Sequence, residues 1–154
     1  MNQIEHSILS RCLNAIYGEL LTNKFDISLE SMERLISLVR YMEDRESLQC
    51  TLGKELNMIQ EVFRIYQQNY GVAELKIDSN TVDLQSRVLR TSVVYEVCQH
   101  GMELLHSGIP LEKITFSQKR GYLTYVFSDT NGKTYGGTID GEETRSNTEP
   151  YDDP

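Results

Sequence analysis

Val93-Val94-Tyr95-Glu96-Val97-Cys98-Gln99-His100-Gly101 lies inside a longer run, Leu84 to Leu105, that reads as one helix closed by Ser107-Gly108 with Pro110 beyond. Glycine just past the last turn and proline after it form the usual C-terminal stop. Cys98 falls on the apolar face of this helix, where a thiol is by default buried and unreactive. His100 and His106 stand six apart, a spacing that does not bring two ligands to one helix face, so no metal site is indicated. His100 is expected to pack or cap locally.

Outward from this helix the pattern alternates between helical and extended signals. Apolar residues at Ile4, Ile8, Leu9, Cys12, Leu13, Ile16, Tyr17, Leu20 and Leu21 make a first helical stripe. Thr22-Asn23-Lys24-Phe25-Asp26 breaks it, and a second stripe follows through Leu29, Met32, Leu35, Ile36, Val39 and Met42. Two amphipathic helices on a short turn form an antiparallel hairpin. So thin a hairpin needs a second copy to cover its apolar faces, which predicts a homodimeric four-helix bundle with Ile8, Leu9, Leu13, Ile16, Leu35, Val39 and Met42 at the interface. After the polar run Glu43-Asp44-Arg45-Glu46-Ser47, Thr51 caps a third helix with Leu52, Leu56, Ile59, Val62, Phe63 and Tyr66 inward.

Val72 to Ile77 reads as a strand and Asp78-Ser79-Asn80 as a turn. Ile114 to Ser117 and Tyr122 to Phe127 are β-rich runs flanking Gln118-Lys119-Arg120-Gly121, and Lys133 to Ile139 pairs as a further strand across Asp129-Thr130-Asn131-Gly132. Beyond Asp140 the chain turns acidic, with Ser, Thr and Pro and no apolar period, as in a disordered tail. The expected organisation is α+β: a helical hairpin over 1–47, an α/β unit over 48–139 and a tail over 140–154.

Composition narrows the function. The chain has 154 residues, 39% of them hydrophobic, enough for one substantial core. A net charge of −8 argues against nonspecific nucleic-acid binding, which needs clustered Lys and Arg. Cys12, Cys50 and Cys98 are odd in number and widely spaced, so they suggest neither a disulfide framework nor a zinc site, and a reducing cytoplasm fits them. No run approaches the roughly 20 apolar residues of a membrane span, and no signal-peptide core follows Met1.

Several local signatures, in order, resemble the cytoplasmic half of LytS/YehU-type sensor histidine kinases over about residues 3–132. Leu13-Asn14-Ala15-Ile16 is similar to the Leu-Asn-Ser-Ile that follows the family's phosphoacceptor. Leu35 to Tyr41 resembles its Leu-x-x-Leu-x-Arg-Tyr, and Thr51 to Leu56 its Thr-Leu-x-x-Glu-Leu. The opening stretch resembles its Leu-Val-Glu-Asn-Ala-Ile-Lys-His-Gly, with His100-Gly101 in place. The resemblance implies a dimerisation hairpin followed by an ATPase-like (GHKL) α/β sandwich, here truncated and without the family's sensing half.

The departures fall on the chemistry the resemblance implies. Where the family carries Gln-Ile-Asn-Pro-His-Phe, this chain has Gln3 and Ile4, then His6 at the Pro position and Ser7 at the phosphoacceptor position. An unactivated hydroxyl is a poor substitute for imidazole. A one-residue shift on a helix turns a side chain by about 100°, so His6 as acceptor would face a new direction. Glu96 replaces the Mg²⁺-binding Asn and adds charge beside a triphosphate, and Tyr95 replaces the family's Glu. Asp129 resembles the adenine-binding Asp, but Asp-x-Gly-x-Gly is out of step at Asn131-Gly132, which a tight turn also explains. The glycine-rich lid is missing, and Gly136-Gly137 reads as a glycine pair in a strand or bulge.

Glu96, His100, Gly101, Asp129, Asn131 and Gly132 therefore read as a vestigial nucleotide site, with ATP and Mg²⁺ not expected as cofactors. The reading that joins the retained plan to the lost chemistry is a noncatalytic histidine-kinase-like adaptor in a bacterial two-component-type pathway. Its partners are then a second copy and a response regulator, a histidine kinase or another signalling protein. The alternatives are a phosphorelay phosphotransferase of the sporulation type using His6, and a residual nucleotide-binding sensor.

Overall fold

The computed structural model describes residues 3–44, 50–70, 74–88, 93–119 and 122–145. Helices α1 (Gln3–Leu21) and α2 (Phe25–Asp44) form the expected hairpin. Asn23 turns the chain between them at φ 59°, a left-handed conformation that Asn tolerates, while Lys24 N–H donates to Glu19 O at 3.0 Å to close α1. Helix α3 (Leu52–Tyr70) begins where the cap predicts, with Lys54 N–H donating to Thr51 Oγ1 at 3.4 Å.

The strands are β1 (Lys76–Thr81), β2 (Arg87–Val88), β3 (Leu111–Lys119), β4 (Tyr122–Asp129) and β5 (Thr134–Arg145), with α4 (Val93–His106) between β2 and β3. They form a mixed sheet in the order β1-β3-β4-β5-β2. Strand β1 is parallel to β3, and the other pairs are antiparallel. Lys119 lies opposite Tyr122, in keeping with the predicted hairpin, although residues 120–121 fall outside the described residues.

The boundaries of three elements differ from the sequence reading for nonlocal reasons; β1 also starts late, at Lys76, because Leu75 bonds the side chains of Gln60 and Gln67 on α3. Strand β1 takes in Asp78-Ser79-Asn80, read as a turn, because it pairs with β3; the turn tendency survives as a register shift after Asp78, whose Oδ1 accepts from Asn80 N–H. The fourth helix starts at Val93, not Leu84. Leu84-Gln85 forms a turn, and the carbonyls of Leu84 and Ser86 accept the first free amides of α3, from Gly53 at 2.9 Å and Leu52 at 2.8 Å. Those amides have no partner within their own helix, and this bond pattern replaces a helical one at 84–86. Strand β5 extends past Asp140 to Arg145, so residues 140–145 are strand rather than tail, drawn in by pairing with β2. Residues 71–73, 89–92 and 146–154 lie outside the described residues, as do 45–49 of the polar run.

One face of the sheet is covered. Leu111, Ile114 and Phe116 of β3 and Leu123, Tyr125 and Phe127 of β4 alternate inward and are buried. Helices α3 and α4 pack together, and Phe63 of α3 meets Phe127 edge to face at 6.1 Å. Helix α1 then packs on α3 and α4, and α2 on α3. A single apolar cluster consequently runs from Ile8, Cys12 and Leu38 through Phe63 and Val97 to Phe116 and Ile139. Each large side chain so buried contributes about 1.5–3 kcal/mol. Polar links fasten the hairpin as well. Arg34 of α2 bridges Glu30 and Glu61, Arg64 bridges Glu61 and Glu74, and the Tyr41 hydroxyl donates to the fully buried Glu55.

Candidate functional site

Glu96, His100 and Gly101 all lie on α4, and His100 and Gly101 rest against β4. The ring of His100 packs edge-on to Phe127 and Tyr125, with centroids at 5.5 Å and 5.7 Å, and its Nδ1 lies 3.0 Å from the Tyr125 hydroxyl. Burial, with Glu96 and Glu103 adding to it, pushes the Tyr125 phenol up to about 12. The phenol therefore stays protonated at neutral pH, and the tautomer of the His100 ring sets which of the two groups donates in this bond. Gly137 of β5 makes this pair possible, since a Cβ there would fall 2.4 Å from Tyr125 Cζ and Oη. Gly101 sits beneath the same cluster, buried against Phe63 and Phe127. Tyr95, at the position of the family's Glu, is a buried core residue.

Asp129, Asn131 and Gly132 form a different structure. Asp129 Oδ1 accepts from the N–H groups of Asn131 and Lys133, both at 2.9 Å, and Oδ2 accepts from the Tyr135 hydroxyl at 3.3 Å. Gly132, at φ 80°, donates to Asp129 O at 3.0 Å. The nearly buried carboxylate is thus engaged in closing the β4–β5 turn. The turn borders a cavity of about 400 Å³ whose wall includes Lys76, Glu112 and Lys113. His100 and Gly101 of α4 meet Phe127, and two residues further along β4 the Asp129 carboxylate accepts hydrogen bonds from residues 131–135. Asp129, which the resemblance would set at the adenine amino group, closes its own turn, and Glu96 stands where the resemblance would have the Mg²⁺-binding Asn.

His6 and Ser7 are both exposed on α1. The cysteines are buried free thiols. Burial pushes Cys12 up to about 12 and Cys98 well above its ordinary value, so both remain protonated and weakly nucleophilic at neutral pH. Among the described residues, no group of three or more His, Cys, Asp or Glu side chains is placed to hold a metal ion.

The hairpin holds the residues that sequence periodicity merged. Of the seven assigned to a dimer interface, Ile8, Ile16 and Leu35 are buried in the chain's own core, because α3 and α4 cover the inward stripe. Leu9, Val39 and Met42 are half-buried, and Leu13 is exposed. A second stripe is uncovered: Leu13, Tyr17, Leu20 and Leu21 on α1, and Phe25, Leu29, Met32 and Ile36 on α2, exposed between 37% and 65%. The opposite flanks of the two helices carry Arg34, paired with Glu61 of α3, and Arg11 and Asn14. The latter two share a cavity of about 460 Å³ with Tyr66, Glu103 and His106. Both uncovered stripes therefore turn away from α3 and α4. The signal for them lay in the alternating 4 and 3 spacings of Phe25, Leu29, Met32, Ile36 and Val39, the seam of a helical bundle.

Glu19, between the two stripes, is 1% exposed. Its Oε1 accepts from Ser31 Oγ at 3.3 Å, and its Oε2 has no hydrogen-bond partner among the described residues. Burial raises this carboxyl above its ordinary value, with Ser31 and Lys24 opposing the shift.

No protein-family model, curated protein or solved structure matches the chain. Among the described residues, no helix is long and apolar enough to cross a membrane.

Proposed function

We propose that the protein is a noncatalytic, histidine-kinase-like adaptor of the cytoplasm that works by protein–protein binding and dimerises through the outward face of α1 and α2. The observation that carries this reading is the uncovered apolar stripe. Eight large side chains at these exposures present on the order of 800 Å², about what each partner of a standard stable interface contributes. Monomeric soluble proteins rarely expose so large a contiguous apolar surface without a use for it. Two hairpins related by a two-fold axis bury it as a four-helix bundle. The succession α3, β1, α4 and β3 to β5 supports a truncated ATPase-like sandwich behind the hairpin. Glu96 at the position the resemblance gives to the Mg²⁺-binding Asn, with the Asp129 carboxylate closed on its own turn, supports its lack of catalysis, and three free thiols suit a reducing compartment.

Light scattering on the full chain tests the proposal. A dimer at micromolar concentration is expected, and Leu29→Asp should shift it toward monomer while the far-ultraviolet circular dichroism is kept. A wild-type monomer under the same conditions overturns the reading. One observation favours the relay alternative: His6 is exposed and stands one and two heptads before Leu13 and Leu20, on the same outward side. Phosphoryl transfer from a phosphorylated response regulator, lost in His6→Ala, would mark the chain as a phosphotransferase instead.

A further inference from the structure

Among the described residues the half-buried arginines are Arg11, Arg34 and Arg64. Arg34 and Arg64 are held by the carboxylates of Glu30, Glu61 and Glu74. Arg11 of α1 is not: the structure gives it neither an ion pair nor a hydrogen bond among the described residues, in a chain with 23 acidic side chains and a net charge of −8. It lines the cavity of about 460 Å³ between α1, α3 and α4, within the size range of small-molecule sites. Glu103 is the one carboxylate lining the same cavity, and it does not pair with Arg11. The other charged cavity, at the β4–β5 turn, is already neutralised in part, since Lys113 pairs with Asp78 and Asp129 closes its own turn.

The two sides of the cavity beside α1 select opposite charges. Ala15 and Tyr66 are buried at its floor, while Asn14, Glu103 and His106 are exposed at its rim. Arg11 and Asn14 stand three apart on one face of α1, and a half-buried guanidinium fork favours a carboxylate bound by two parallel hydrogen bonds. The opposite side is the last turn of α4. There the carbonyls of Glu103, Leu104 and Leu105 accept from Ser107, Ile109 and Gly108, so the group left to meet a ligand is the Glu103 carboxylate, held among the described residues by Gln99 at 3.3 Å. That carboxylate and the negative end of the helix dipole both favour a cation. A simple anion on Arg11 would leave Glu103 unsatisfied, and a simple cation on Glu103 would leave Arg11 so. A small molecule carrying both charges satisfies the two sides together.

We propose that this cavity binds a free α-amino acid, its carboxylate on the Arg11 fork and its ammonium on Glu103. The Asn14 amide and the His106 imidazole at the rim are then available to its side chain. A ligand so held fastens α1 of the hairpin to the end of α4. The site uses neither the outward stripe nor any residue of the nucleotide resemblance, so light scattering decides the adaptor reading and the titration below decides the ligand.

Backbone amide shifts of the ¹⁵N-labelled full chain test it, titrated with each standard L-amino acid to about 10 mM, above the millimolar Kd expected of an open polar site. At least one should move the amides of 11–15 and 103–107 saturably. Arg11→Gln and Glu103→Gln, which leave the floor in place, should each weaken that binding at least about tenfold with the far-ultraviolet circular dichroism unchanged. Derivatives of the bound amino acid separate the two contacts on the wild-type chain. Its carboxamide and its N-acetyl form should each bind about tenfold more weakly, and the carboxamide should lose little further in Arg11→Gln, nor the N-acetyl form in Glu103→Gln. Acetate binding as tightly as the amino acid would make the cavity a plain anion site. No amino acid moving these amides, or binding indifferent to both substitutions, would remove the site; each of these results overturns the proposal.

Discussion

A Cβ built on Gly101 falls 2.4 Å from Phe63 Cζ and 2.8 Å from Phe127 Cζ, so this glycine is required where α4 crosses the aromatic core. Gly101→Ala should cost about 1–3 kcal/mol, the usual range for overpacking, and thermal denaturation will read it as a fall in Tm of several degrees. An unchanged Tm would mean that α4 lies farther from the sheet. Glu19 gives a pH-dependent case. Its carboxyl titrates above the ordinary value of 4.5, because burial penalises the charged form. Its contribution to stability is therefore fully present below pH 4.5 and lost as pH rises through the raised value. Glu19→Gln, neutral throughout, should have a higher Tm than the wild type at pH 7, and the gap should close toward pH 4. A constant gap would locate the effect in the amide rather than in the proton. The engaged carboxylate of Asp129 also makes a prediction. Millimolar ATP with Mg²⁺ should leave Tm unchanged, whereas a ligand at a hundredfold excess over Kd would add about 2.7 kcal/mol.

Helix α2 carries two stripes, and substitutions on them should behave differently. Leu35 is 5% exposed and Leu29 65%. Leu35→Asp places a charge in the core and should unfold the chain, while Leu29→Asp should change monomer stability by no more than about 0.5 kcal/mol. Chemical denaturation of both variants checks the contrast, and equal losses would mean that the outward stripe is covered within the chain. The same helix marks the limit of sequence reading. Periodicity located α1, α2 and α3 because a helical stripe is local, and Thr51 fixed the start of α3 because capping spans only three residues. Strand β1 and the start of α4 depend on partners far along the chain: β3, β5 and the free amides of α3. No local pattern encodes these, and the turn-forming Asp78-Ser79-Asn80 pointed the other way. The site residues were legible as residue types but not as a constellation. The use of Asp129 to close its own turn depends on Asn131, Lys133 and Tyr135 beyond the end of β4, and the pairing of His100 with Tyr125 depends on the glycine at 137.

At the scale of the molecule, the apolar cluster determines how many units unfold. Sequence organisation divides the chain near residue 47, between a hairpin and an α/β unit. In the folded chain, Ile8, Cys12, Ile16 and Leu38 belong to the same buried cluster as Phe63, Val97 and Phe127. The ion-pair chain Glu30–Arg34–Glu61–Arg64–Glu74 and the Tyr41–Glu55 bond cross that division again. A hairpin that unfolded first would expose the faces of α3 and α4 on which it rests and leave Glu55 buried without the hydroxyl that donates to it, so the two parts should lose structure together. Helix content followed at 222 nm reports on both parts, whereas six of the nine tyrosines, Tyr66, Tyr70, Tyr95, Tyr122, Tyr125 and Tyr135, weight tyrosine absorbance toward the α/β part. In urea the two signals should give coincident transitions. The common midpoint should rise with protein concentration, because a dimer formed through the outward stripe is linked to folding by mass action. Two separated transitions would make the hairpin an independent unit, and its closeness to α3 would then be a docking equilibrium rather than a shared core. A single transition with no concentration dependence would keep the one-core account but leave the outward stripe without its second copy.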